Sequence, residues 1–169
     1  MLELLIILLV IVADQISKYI TVQYLKPLNT VPILEDVFSL TYVENRGAAF
    51  GIFQNQRWFL IILPILIVSV AIIFLMRNRN ESLLTRISLA VILGGAIGNL
   101  IDRIIRGYVV DMFQFTFIQF PVFNVADMAV VCGTVILALQ LLFYQEKVTS
   151  DPKQANEESS EGGVSDESI

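Results

Sequence analysis

Apolar residues form four long runs along the 169-residue chain, and polar residues gather near the ends of these runs. A helix of about 20 apolar residues is long enough to cross the hydrocarbon core of a bilayer. Three of the runs come close to this length, and the N-terminal run does so once it is extended past Asp14 and Lys18. The pattern therefore predicts four membrane-spanning helices, at residues 4–24, 58–76, 83–101 and 124–144.

The N-terminal run differs from a cleavable signal peptide, because it begins Met-Leu-Glu rather than with a basic segment and has no A-x-A site. We expect it to be retained as the first span, so that four spans place both termini on one side. The basic residues outside the apolar runs form two groups of five, one on each side of the membrane, so their number does not decide which side is cytoplasmic. The first group is Arg77, Arg79, Arg86, Lys147 and Lys153, and the second is Lys26, Arg46, Arg57, Arg103 and Arg106. If some residues of the second group are held in a site, the first group marks the cytoplasmic side.

Two segments outside the spans alternate large apolar residues with smaller or polar ones, as strands do. The first is 38–43, which is followed by a turn signal at 45–47, and the second is 113–117. Their aromatic residues suit the membrane interface, although an ordinary aromatic belt explains any single one of them equally well. We expect a small strand-rich segment, at about 29–56, outside the membrane.

The composition excludes several kinds of chemistry. Of all residues, 56% are apolar, 16% are charged and none is histidine, and the one cysteine, Cys132, lies within the last apolar run. A Ser-His-Asp triad, a Cys-His pair and most zinc sites are therefore ruled out. We expect no cofactor and no nucleic-acid partner.

The net charge of −5 resides in the segment 146–169, which is polar, lacks aromatic residues and is predicted to be a disordered tail.

Polar residues also occur within the spans, where burial makes them costly. Asp14 and Lys18 are four residues apart, so they share a face of the first span as an ion pair. The simpler interpretation is that the pair holds this span against its neighbours, and the alternative is that it orients a site. In the third span, glycines allow another helix to approach closely, and Asn99 and Arg103 then share one face, with Asp102 three residues after Asn99.

Asp111 follows the third span, and Asp127 opens the fourth. If these spans pack side by side, the two carboxylates meet, and because they cannot both ionise easily they share one proton. The charged carboxylate then takes a proton from water while the neutral one donates to a peptide carbonyl, as in aspartic proteases. Asn99, Arg103 and Asn124 are placed to hold the carboxylates or the substrate backbone. Intramembrane acids also serve proton relays and ion paths, so this alternative stays open.

Two other classes of protein compete with a peptidase. A small proton-coupled transporter could use Asp14, Lys18, Asp111 and Asp127 as a relay, but the sequence has no repeated halves with matching broken helices. A structural membrane subunit would use its polar residues only to hold helices together. That interpretation gives the polar residues around the two acids no purpose.

The motifs resemble, in order and spacing, those of the lipoprotein signal peptidase (signal peptidase II) family of bacterial inner-membrane aspartyl proteases. The resemblance covers about residues 10–143, with Met112 where the family usually has Phe and with the acidic tail outside the pattern. A presenilin-like G-x-G-D motif is absent. The motifs are D-x-x-x-K at Asp14–Lys18, N-R-G-A-A-F-G at Asn45–Gly51, G-N-L-I-D-R at Gly98–Arg103, G-Y-V-V-D at Gly107–Asp111 and F-N-V-A-D at Phe123–Asp127.

The resemblance implies that Asp111 and Asp127 are the catalytic pair of a peptidase. Its substrates would be diacylglyceryl-modified prolipoproteins, cleaved on the amino side of the lipidated cysteine. It also implies an all-α membrane protein with four transmembrane helices and a small extracytoplasmic β-cradle. The protein would act as a monomer in the bacterial inner membrane, in contact with lipid, with both termini cytoplasmic and the site near the outer face. The residues implied to bind substrate or to support the site are Asn99, Arg103, Asn124, Asn45, Gly47, Asp14 and Lys18.

Overall fold

The computed structural model describes residues 1–48 and 52–149, and for residues 144–149 it describes the backbone alone. Within this part of the chain, four helices are long and apolar enough to cross a membrane. The first is continued by a π-helical turn, Thr21–Leu25. Together with a small antiparallel sheet, these helices confirm the predicted fold class. The helices are α1 (Leu2–Ile20), α2 (Arg57–Arg77), α3 (Leu83–Ile105) and α4 (Val125–Thr149).

The third and fourth helices extend four or more residues past their predicted ends. The predicted third span stops at residue 101 because Asp102 and Arg103 follow, but α3 continues to Ile105. The charged residues continue the helix because their side chains pair within the protein instead of facing lipid. The last helix reaches Thr149, so it includes the first residues of the predicted acidic tail, and that tail lies outside the described residues from residue 150 onward.

The sheet has the strand order β1 (Thr30–Leu34), β2 (Phe38–Asn45) and β3 (Val109–Phe115). The strand predicted at 38–43 is β2. The strand predicted at 113–117 is β3, but it begins earlier, because its first four residues are all buried and therefore show no alternation. β1 lies within the segment 29–56 that was expected to be rich in strands, but it was not predicted as a separate strand, because it contains Pro32 and is mostly exposed without an apolar alternation.

The third helix lies at the centre of the bundle and packs against the other three. Glycines make this possible: a Cβ atom on Gly94 would lie 2.7 Å from the Cβ of Val10 in α1. A Cβ on Gly95 would lie 2.4 Å from the carbonyl oxygen of Ala126 in α4. Both contacts are too short for a side chain, so the close approach of α1 and α4 to α3 depends on these positions.

The chain leaves α3 through Gly107, which has a φ of +81° and therefore takes the left-handed conformation that favours glycine. Its N–H donates to the carbonyl of Asp102 at 3.2 Å, which closes the last turn of the helix. The chain then enters β3, which pairs with β2 so that Asp111 lies opposite Val43. This turn brings β3, the end of α3 and the beginning of α4 to the same end of the bundle.

Candidate active site

Asp111 lies in β3 and is almost completely buried. Each of its carboxylate oxygens accepts a hydrogen bond from a side-chain amide: Oδ2 from Asn45 Nδ2 at 3.0 Å, and Oδ1 from Asn124 Nδ2 at 2.6 Å. Burial, and after it the neighbouring Asp127 carboxylate, raise the pKa of Asp111 to about 7. Asp111 can therefore be protonated or ionised near neutral pH.

Asp127 lies in the first turn of α4 and forms a reciprocal cap with Asn124, the residue that precedes the helix. Asn124 Oδ1 accepts from the backbone N–H of Asp127 at 2.9 Å, and Asp127 Oδ2 accepts from the backbone N–H of Asn124 at 3.2 Å. This is the geometry of a capping box, with Asp in the place of Glu. The other carboxylate oxygen, Oδ1, accepts from Asn99 Nδ2 at 2.7 Å.

Asn124 connects the two carboxylates. Because its Oδ1 accepts a backbone N–H, its Nδ2 must face the other way, and it donates both to Asp111 Oδ1 and to Asn99 Oδ1, the latter at 3.1 Å. Asn99 in turn donates to Asp127. One residue therefore caps α4 and links β3, α3 and α4 at the acidic pair, and both acids are partly or fully shielded from solvent.

Asp14 and Lys18 form the predicted ion pair, at 2.9 Å, and both are completely buried. The pair extends beyond α1, because Lys18 Nζ also contacts Asp102 Oδ2 at 3.2 Å and donates to Asn99 Oδ1 at 2.8 Å. Lys18 thereby joins the ion pair to the amide that holds Asp127. The two groups of polar residues, treated separately in the sequence, form one network.

The carboxylates of the ion cluster also hold the backbone around the site. Asp14 Oδ1 accepts from the N–H of Ala126, the residue before Asp127, at 3.0 Å. Asp102 Oδ2 accepts from the N–H of Val110, the residue before Asp111, at 3.1 Å. Sequence reasoning noted Asp102 as one of several charges at the end of a span. The signal that could have identified it is its place four residues before Arg106, with which it pairs at 3.4 Å.

Arg103 and Gly47 lie at the sheet side of the site. The Arg103 guanidinium donates to the carbonyl of Gly47 at 3.3 Å and to the carbonyl of Asn99 at 3.4 Å. The Gly47 N–H donates to Asn45 Oδ1 at 2.9 Å, which fixes the orientation of the Asn45 amide so that its nitrogen faces Asp111. The structure thus brings all nine sequence-predicted residues into one connected network at the sheet end of the bundle.

Arg57 also contributes to this region, although it was noted in the sequence only as one of the basic residues outside the apolar runs. Its guanidinium donates to the carbonyls of Arg103, at 3.2 Å, and Ile104, at 3.0 Å, at the end of α3. These carbonyls have no partners within their own helix, so Arg57 caps α3 from the beginning of α2. Within residues 1–48 and 52–149, no group of three or more acidic, histidine or cysteine side chains is arranged to hold a metal ion.

The fold and the site define a multi-span membrane protein with a pair of acids held at one end of its helix bundle. The sequence matches the model of the Signal peptidase (SPase) II family over residues 6–143, and the chain belongs to that family. It is therefore a peptidase, a hydrolase, of the bacterial membrane that crosses the membrane with four helices.

Relatives and solved structures agree with this membership. The lipoprotein signal peptidase of Clostridioides difficile (strain 630) is 46% identical over 147 residues, which cover 87% of this chain and 99% of the relative. That of Caldanaerobacter subterraneus subsp. tengcongensis is 48% identical over 135 residues, which cover 79% and 91% of the two chains. A bacterial membrane enzyme solved by the in meso method at 2.3 Å superimposes with a TM-score of 0.81 and 28% identity, over 89% of this chain and 92% of the other. A second, solved at 1.9 Å, has a TM-score of 0.75 and 30% identity.

Proposed function

We propose that the protein is an aspartic endopeptidase that removes signal peptides from diacylglyceryl-modified prolipoproteins. The observation that carries this proposal is the linked pair of Asp111 and Asp127, joined by Asn124 and Asn99 in a largely buried site. Family membership supports the removal of signal peptides, and the names of the relatives support lipoproteins as substrates. The bond cleaved is the one on the amino side of the lipidated cysteine.

In the first half of the reaction, one carboxylate of the pair is charged and the other carries a proton. The charged carboxylate accepts a proton from water as the water oxygen attacks the peptide carbonyl carbon, and the neutral one donates its proton to the carbonyl oxygen. The product is an uncharged tetrahedral diol. The pKa of Asp111, which burial and Asp127 raise to about 7, supports a shared proton near neutral pH.

In the second half, the two carboxyl groups exchange roles. The group that took the water proton gives it to the nitrogen of the lipidated cysteine, and the carbon–nitrogen bond breaks. The other takes back a proton from a hydroxyl of the diol, which becomes the carboxyl group of the released signal peptide. The pair returns to its starting state, so one water is consumed for each bond and no other reactant is needed.

We further propose that the termini face the cytoplasm and that the site lies near the outer face of the membrane. A substrate anchored by its diacylglyceryl group presents the scissile bond near the interface, at the depth of the first turn of α4. Three basic residues at the sheet end, Arg57, Arg103 and Arg106, are bound to backbone carbonyls or to a carboxylate. At the opposite end Arg86 is likewise paired, with Glu3. Arg77 and Arg79 at that end favour it as the cytoplasmic side, which carries an excess of basic residues.

The experiment is cleavage of a diacylglyceryl-modified prolipoprotein by purified full-length protein, comparing wild type with Asp111→Asn and Asp127→Asn. Asn keeps the shape of the side chain but cannot transfer the proton, so each variant should lose at least about 100-fold in rate. Thermal unfolding in the same detergent shows whether each variant is folded.

A matched control is Asp36→Asn, the same chemical change in an exposed turn between β1 and β2 where φ is +58°. Asn tolerates this conformation, so the control should cleave like wild type. A second arm uses the same prolipoprotein without the diacylglyceryl group, and it should not be cleaved. The proposal is wrong if a folded wild-type protein does not cleave the modified substrate, or if either Asn variant at the pair cleaves as fast as the control.

A further inference from the structure

The Lys18 ammonium lies between three oxygen atoms on two helices. It forms ion pairs with Asp14 Oδ2 at 2.9 Å and with Asp102 Oδ2 at 3.2 Å, and it donates a hydrogen bond to Asn99 Oδ1 at 2.8 Å. Lys18, Asp14 and Asp102 are all completely buried. The cation is therefore enclosed by two carboxylates and one amide oxygen in the interior of the bundle.

Lys18 determines the orientation of the Asn99 amide. An ammonium can donate hydrogen bonds but cannot accept them, so the atom of Asn99 that faces it must be the oxygen. The nitrogen of the amide therefore faces Asp127 Oδ1, at 2.7 Å. A donor polarised by a cation donates more strongly, so the charge of Lys18 is felt at Asp127 through Asn99.

The surroundings of the two acids differ in three respects. Asp127 receives a backbone N–H at the N-terminus of α4, where the helix dipole favours negative charge, and it is the less buried of the two. Asp111 lies on a strand and is only 1% exposed, so a charge there is further from water. Asp111 takes its amide donors from Asn45 and Asn124, which are not bonded directly to the ammonium, so the Lys18 charge acts on Asp111 only through space.

The other charged groups around the pair do not reverse this difference. Asp14 and Lys18 face Asp127 from α1, Arg103 faces it from α3, and Asp111 faces it from β3. Arg103 acts on both members of the pair through its charge, and it donates hydrogen bonds to the backbone carbonyls of Asn99 and Gly47. The Asp14 and Asp102 charges are offset by Lys18 and, for Asp102, by Arg106.

We propose that Lys18 is a positioning residue that, through Asn99, keeps the negative charge of the acidic pair on Asp127 and leaves the proton on Asp111. The inference rests on the proposed function and deepens it, because it gives each acid its role. Asp127 is then the group that takes the proton from water, and Asp111 is the group that donates to the peptide carbonyl.

The first test is the pH dependence of kcat/KM for the full-length protein with modified prolipoprotein. The variants are Lys18→Arg, which keeps the cation, and the double variant Lys18→Met with Asp14→Asn, which removes one charge of each sign. The double variant avoids leaving two buried carboxylates against a single remaining cation, which would threaten folding. Loss of the ammonium disfavours the charged form of the pair, whereas loss of the Asp14 charge favours it. We expect the link through Asn99 to outweigh the Asp14 charge, so the acidic limb of the double variant should move to higher pH by up to about one unit.

A merely structural role of Lys18 would lower the rate by the same factor at every pH and leave the limb in place. Lys18→Arg should restore the limb towards its wild-type position even where its absolute rate is lower. The inference is overturned if the double variant cleaves more slowly with an unmoved acidic limb. Because wild type serves as the reference, failure of the proposed function itself would appear separately, as absence of cleavage by wild type.

The second test does not depend on a variant of Lys18. A protonated buried carboxyl group has its own infrared band, which can be compared at pH 6 among wild type, Asp111→Asn and Asp127→Asn. If Asp111 carries the proton, the band is lost in Asp111→Asn and persists in Asp127→Asn. The opposite result would place the proton on Asp127 and overturn the inference, whether or not the Lys18 variants fold.

Discussion

The second and third helices are both long enough to cross a membrane, but they differ in composition and in burial. The second helix is the most apolar of the four spans, while the third is the least apolar, and a larger part of α3 than of α2 is buried. None of the nine candidate site residues lies on α2. In a bilayer an apolar residue gains little by facing protein rather than lipid, whereas a polar one gains partners. The helix with the lower hydropathy, α3, is therefore the one at the centre of the bundle.

The largest effect that separates these helices is expected for an added methyl group. In Gly95→Ala the new Cβ would lie 2.4 Å from the Ala126 carbonyl oxygen, so α4 must move. We expect the free energy of unfolding to fall by about 1–3 kcal/mol. The cleavage rate should fall by about 10–100-fold, because α4 carries Asp127. Thermal unfolding measures the change in stability, and prolipoprotein cleavage measures the change in rate.

The control on the other helix is Val70→Ile, which also adds one carbon. Val70 is 68% exposed on α2, so the added carbon enters lipid, and neither stability nor rate should change. Equal effects at Gly95 and Val70 would contradict the distinction between a packed central helix and a lipid-facing one.

A smaller effect is expected at the helix N-termini. In Asn124→Ala, the cap of α4 is lost together with the amide that links the two acids, so stability should fall by about 1 kcal/mol and cleavage should slow. The corresponding residue of α2, Gln56, makes no side-chain capping bond, so Gln56→Ala should leave both unchanged. Thermal unfolding and cleavage rates are measured for both variants. If Gln56→Ala is destabilised and Asn124→Ala is not, the difference predicted between the two helix N-termini is wrong.

The smallest expected effect is a shift in pH dependence. The Asn45 amide donates to Asp111 and so favours its charged form, and Asn45→Ala should therefore raise the pKa of Asp111 above about 7. Asp111 would keep its proton to higher pH, so the alkaline limb of kcat/KM should move upward by about half to one unit. Asn80→Ala, in the exposed turn after α2, should leave the limb in place. Movement of the limb to lower pH in Asn45→Ala would contradict the assigned hydrogen bond.

Hydropathy and motif spacing predicted the four helices, the acidic pair and the strand that became β2. These features depend on local patterns: apolar runs, alternation, and charged residues at the ends of spans. The central position of α3 was indicated only by its glycines, because packing partners cannot be assigned from the apolar runs alone.

The connections within the network could not be predicted, because they depend on distances between residues far apart in the chain. Lys18 follows Asp14 by four residues, which suggested a local pair, but its decisive contacts are with Asn99 and Asp102 on another helix. Similarly, Arg57 shows no pattern in the sequence, since the carbonyls it caps lie 46 and 47 residues away. Backbone carbonyls carry no mark in the sequence that shows which of them lack a partner.

The reciprocal cap between Asn124 and Asp127 has a consequence for the timing of synthesis. Asp127 belongs to α4, which leaves the ribosome after the other three described helices, and between the ends of α3 and α4 lie residues 106–149. At about 5–20 residues per second, this segment takes roughly 2–9 s to make. During that interval, α1 and α3 can already join through Lys18, while Asp111 has no acidic partner. A nascent chain in the membrane therefore holds no complete site until its final helix is in place.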